Sequence, residues 1–119
     1  MRISLDQLQD ITTARDDAYA RRLASFMRRK FPEFAAGYDV YNFDAGVRAG
    51  VREGRKWNVR TADGMVAAAT LWLLGGSELF AEKNVQVLLS AEGGGEPIDR
   101  KMTRLIDRVW QTLEAEVVP

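Results

Sequence analysis

The chain reads as an all-α protein. We expect a compact, single-domain bundle of about four to five helices, with a long N-terminal helix and an amphipathic C-terminal one. Three observations predict this. Apolar residues recur at gaps of three and four near both ends of the chain. The run Met65–Leu74 in the middle is apolar nearly all round, as a central core helix should be. Only Val85–Leu89 has strand character, and no second clear strand exists to pair with it. The 119 residues suit one domain, 1–119. With 46% hydrophobic and 29% charged residues, the composition is that of a globular chain and not a disordered one.

Ser4 and Gln7 have the spacing of a capping box. From Leu5 a helical stripe follows: Leu5, Leu8, Ile11, Ala14, Ala18, Leu23, Phe26 and Met27. The helix can run to Phe31, where Pro32 stops it. At about 40 Å it would exceed the width of a compact domain of this size, so it bends or projects. The β-branched pair Thr12 and Thr13 is the expected weak point. Pro32–Asn42 should hold one short turn and a loop, with Asn42 capping a helix over Phe43–Trp57. Gly46, Gly50 and Gly54 fall on one face of that helix. Each costs about 1 kcal/mol relative to alanine, so close packing against the apolar third helix is the expected compensation. Thr61 should cap that third helix, Ala62–Leu74, and Gly75 and Gly76 should end it. Ser77 then starts a turn that places Leu79 and Phe80. Helix or irregular structure is favoured for Val85–Leu89, and 91–96 is the glycine-rich loop. Pro97 opens the last helix in its first turn. Its apolar stripe is Ile98, Met102, Leu105, Ile106, Val109, Trp110, Leu113 and Val117. Arg100, Lys101, Arg104, Asp107, Arg108 and Glu114 should face solvent.

The chain has no histidine and no cysteine. Ser-His and Cys-His nucleophilic machinery and zinc sites of the Cys/His type are thereby excluded. Asp16 and Asp17 diverge by about 100° around a helix. Asp39 and Asp44 flank an aromatic loop, but Asp44 suits the first turn of the following helix, at the positive end of its dipole. The glycine row lacks P-loop spacing, and the segment 92–96 lacks the Lys and Ser/Thr of a phosphate cradle. The reading is a non-enzyme with no catalytic residues, no cofactor and no metal.

Contact chemistry remains. Seventeen basic and seventeen acidic residues balance overall, yet residues 15–60 carry net +5 and residues 61–119 net −4. That asymmetry can steer a partner or a second copy, so a homodimer is compatible with it. Arg21/Arg28 and Arg22/Arg29 form a double basic stripe, but the pI near 6.3 and the absence of a DNA-reading motif make nucleic acid an unfavoured partner. Arg48, Arg55, Lys56 and Trp57 are the candidate protein-binding residues, because a basic group beside an indole at a helix end suits a hot spot. Trp57 could equally close the core as a plug. No secretory h-region follows Met1, and the run Met65–Leu74 is shorter than the roughly 20 residues a bilayer requires, so a cytoplasmic chain without a membrane span is expected.

Two blocks carry a resemblance. One is Arg22–Glu33, which ends a helix in F-P-E; the other is Arg48–Val66, followed by Leu71–Phe80, L-W-L-L-G-G-S-E-L-F. Their order resembles a group of small bacterial proteins encoded beside type VI secretion effectors and their PAAR or adaptor genes, over about residues 20–82. Asn58 stands where that group often has glycine, and the tail after Phe80 is longer. The resemblance implies an accessory or co-chaperone that binds an effector, a PAAR protein or an adaptor. The other classes kept open are an immunity protein that neutralises a toxin and a small nucleic-acid-binding regulator. The weak overall charge runs against the field that such inhibitors use for steering.

Overall fold

The computed structural model describes residues 5–90 and 97–117, with side chains described for 14–90 and 97–112. The described residues form six helices and no strand: α1 (Leu5–Lys30), α2 (Pro32–Ala36), α3 (Val40–Lys56), α4 (Ala62–Ala81), α5 (Lys83–Leu89) and α6 (Ile98–Val117). The all-α class stands. The count exceeds four to five because the turn after Pro32 and the segment around Val85–Leu89 are both helices in their own right.

α1 runs unbroken for 26 residues, through Thr12 and Thr13. The modest propensity cost of two β-branched residues does not interrupt so long a ladder. Ser4 and 91–96, where a cap and a loop are expected, lie outside the described residues. α3 starts one turn earlier than the sequence suggests. Asp39, not Asn42, is the cap: its carboxylate accepts from the Asn42 backbone N at 2.8 Å and from Asn42 Nδ2 at 2.6 Å. The earlier start also moves Asp44 out of the first turn. The other end of α3 closes with a Schellman motif. Val59 N donates to Gly54 O at 2.9 Å and Asn58 N to Arg55 O at 3.1 Å, with Asn58 in the left-handed region at φ 63°. Thr61 caps α4 as expected, accepting from Gly64 N at 3.0 Å.

The glycine row of α3 lies against α4. A methyl group at Gly54 would sit 2.8 Å from Met65 Sδ, one at Gly50 3.0 Å from the Ala69 backbone N, and one at Gly46 would overlap Leu73 Cδ2. The two helices therefore run antiparallel with their backbones in close approach. α1 is antiparallel to α3 in turn, since Asp16 meets Arg55 and Arg28 meets Asp44. α6 runs the same way as α4: Asp99 sits at Thr61, and Trp110 reaches Phe34 at the far end. α4 is thus the centre, with Met65, Ala67, Ala68, Ala69 and Leu71 buried. On length and composition alone Ala62–Ala81 could cross a membrane, although Met65 to Leu74 read as too short. It is not a continuous span. Gly76 breaks it at φ 61°, ψ −156°, and the carbonyl of Leu73 just before the break accepts from the Tyr38 hydroxyl at 3.0 Å.

One α6 assignment is corrected. Lys101 does not face solvent; it is 4% exposed, and its Nζ donates to Ser90 O at 2.6 Å, capping the end of α5. The alkyl stem is buried while the ammonium meets a carbonyl. Pro97 also sits one residue outside its expected place, as its carbonyl accepts from Arg100 N and Lys101 N ahead of Ile98.

Candidate functional site

Arg48 and Arg55 are exposed but reach across to α1. Arg48 Nε and Arg52 each lie 3.6 Å from Asp17 Oδ1, and Arg55 Nε lies 3.2 Å from Asp16 Oδ1. The Arg55 guanidinium also stacks 5.5 Å from the centre of the Tyr19 ring. Burial raises the Tyr19 pKa, and the positive charges of Arg55 and Arg22 only partly oppose that. Trp57 is half-buried against the core, with its indole N–H donating to Glu53 Oε1 at 3.2 Å; Lys56 pairs with the same carboxylate at 3.5 Å and is well exposed. The structure therefore places the four candidate residues along the C-terminal half of α3, but all four have partners within the chain: Arg48 and Arg55 on α1, Trp57 and Lys56 on Glu53.

The opposite side of α1 presents a different surface. α1 buries Ala20, Leu23, Ala24 and Met27, so Arg15, Ala18, Arg22, Phe26 and Arg29, at gaps of three and four, line up on the outer side. All five are exposed, Phe26 to 43%. Arg28, half of the expected Arg21/Arg28 stripe, is taken up by Asp44 and by the Phe43 ring. Arg15, Arg22 and Arg29 make no ion pair among the described residues. They are seven residues apart and so overlie one another on the helix.

Three concavities follow this face in order. The first, of about 590 Å³, lies among Arg15, Asp16, Ala18, Tyr19, Arg22 and Arg55. The second, of about 370 Å³, opens between α1 and α4; Tyr19, Leu23 and Phe26 form one wall and Ala62, Asp63 and Val66 the other. The third, of about 280 Å³, is bounded by Phe26, Arg29 and Lys30. Together they make a shallow trough with an apolar middle and a basic rim. The apolar stripe in the sequence puts Ala18 and Phe26 on one face with Leu23 and Met27, whereas the structure exposes the first two and buries the others. Phe26 and Met27 lie about 100° apart on a helix, so both cannot face the same neighbour, and this is the signal that locates the outer face.

A second recess, of about 420 Å³, is polar and lies between the start of α4 and α6, lined by Thr61, Asp63, Asp99, Arg100 and Thr103 among others. Its chemistry is structural. The Asp99 carboxylate accepts from Thr61 N at 2.6 Å, Thr61 Oγ1 at 2.5 Å and Arg60 N at 3.1 Å. Burial alone would raise the Asp99 pKa, but the bonds from Thr61 and Arg60 outweigh it and hold the carboxyl below its ordinary value. Among the described residues no group of three or more acidic side chains is placed to hold a metal ion. The chain matches no protein-family model, no curated protein and no solved structure.

Proposed function

We propose that this is a non-catalytic binding protein that receives a helix of another protein in the trough along α1. The observation that carries the reading is the exposed Phe26, set beside an apolar recess floored by Leu23 and Val66 and edged by arginines without partners in the described chain. A large aromatic side chain left uncovered next to a concavity is the usual make-up of an interface anchor. The resemblance to proteins encoded beside type VI secretion effectors supplies the class of partner: an effector, a PAAR protein or an adaptor, held in the cytoplasm before export. Arg48 and Arg55 then act chiefly by fixing α3 against α1 and Trp57 by closing the helix end, while the exposed Lys56, and Arg55 where it lines the first concavity, can also touch a partner.

Co-expression with the products of the adjacent genes tests this. A partner should co-purify with the native chain and be lost from Phe26→Glu, whose exposed position leaves folding intact. A chain that stays alone with every neighbouring product present removes the proposal.

A further inference from the structure

We infer that the occupant of the trough is an acidic amphipathic helix of about four turns, lying along α1 with a large apolar side chain seated over Val66. The inference rests on the docking reading above and adds the chemistry of the partner. Arg15, Arg22 and Arg29 set the register. Seven helical residues rise about 10.5 Å, so the three guanidinium groups span about 21 Å, the length of roughly fourteen helical residues. A helix carrying carboxylates every seven residues meets all three without strain. An extended peptide would not suit the site, because the trough lies between helices and offers no sheet edge to pair its backbone groups.

The second wall fixes which way the occupant faces. Asp63, exposed at the start of α4, is the acidic side chain lining the central recess, while Asp16 at the first concavity is paired with Arg55. An occupant therefore turns its acidic edge toward α1 and a neutral or basic edge toward α4. The apolar centre between Leu23, Phe26 and Val66 takes the side chains on its inner stripe. A nucleic acid fits this less well, since its phosphates would meet Asp63, and Tyr19, the other aromatic ring in the trough, is half-buried and already faced by Arg55.

The test uses two synthetic peptides of three heptads, both with Leu at the a and d positions. One has Glu at e and Gln at g, the other Lys at e and Gln at g. Binding to the full chain is read by fluorescence anisotropy and by the helical circular dichroism gained on mixing. The Glu peptide should bind at least tenfold more tightly than the Lys peptide, and its binding should weaken as salt rises. The triple variant R15E/R22E/R29E should abolish that preference, and Phe26→Ala should weaken the Glu peptide about tenfold. Equal binding of the two peptides, or Glu-peptide binding untouched by the triple variant, overturns the inference. So does a dimer in sedimentation equilibrium that Arg22→Glu dissociates, because a second copy then fills the trough. Preferential binding of a single-stranded oligonucleotide at low salt likewise overturns it. If neither peptide binds while a neighbouring gene product still co-purifies through Phe26, the docking role stands and the acidic helix is wrong.

Discussion

Gly50→Ala examines the close backbone approach of α3 to α4. A methyl group there would lie 3.0 Å from the Ala69 N and 3.1 Å from the Ala68 O, and closer still to the Ala69 Cα. All three are backbone atoms, so no side chain can swing aside. The two helices must part by about 1 Å before the methyl reaches the ~3.5–4.0 Å separation of ordinary carbon contact. Val47 and Val51, fully buried next to the glycine row on α3, lose packing as they do so. Overpacking of this kind costs about 1–3 kcal/mol, and a rigid backbone neighbour puts it near the upper end. Alanine returns about 1 kcal/mol of helix propensity. The expected net loss is about 2 kcal/mol, read as a lower urea midpoint at unchanged m-value and a fall in Tm of roughly 6–10 °C. Gly37→Ala is the matched control. Its φ of −73° suits any residue, and the nearest atom to a new methyl is Phe34 O at 3.5 Å. It should stabilise by about 0.4–1 kcal/mol. A Gly50→Ala protein as stable as the parent would refute the close packing of α3 on α4.

Three further outcomes are expected. Gly76→Ala should destabilise by about 1–3 kcal/mol through backbone strain alone, since nothing lies within 4 Å of the new methyl while φ is 61°; thermal melting reads it. Because the Asp99 pKa is lowered on folding, its contribution is fully present above the ordinary carboxylate range and is lost as pH falls through the folded value. Stability curves of Asp99→Asn and the parent should therefore converge on the acid side and separate toward neutral pH; a constant gap would contradict the bonding described. Lys101→Ala should cost about 2 kcal/mol or more by emptying a buried site and leaving Ser90 O without its donor, and Lys101→Met, which keeps the stem, should recover part of that in urea unfolding.

Much of the architecture is legible in local chemistry. The glycine row announced a close helix pair because its propensity cost needed compensation, and α4 is that partner. Thr61 showed as a cap and Gly75–Gly76 as a break because both depend on a few adjacent residues. Val85–Leu89 is the helix α5, as the lack of a pairing strand suggested. What escaped depends on distant neighbours. Lys101 looks like a solvent-facing residue until Ser90 O is brought to it from another helix. Asp39 and Asn42 are equally good caps by type, and only the geometry of the turn after Tyr38 decides between them. Arg48 and Arg55 resemble free contact residues until Asp17 and Asp16 arrive from α1. The outer face of α1 was masked because Ala18 and Phe26 carry the same apolar periodicity as the inner one.

The central place of α4 has a consequence for how the chain is made. Synthesis runs from the N-terminus, so α3 is already available when α4 leaves the ribosome, whereas α6 follows later. Until Met102 and Leu105 arrive, one greasy flank of α4 has no cover, and nascent or truncated chains ending before Pro97 are the forms most prone to aggregate.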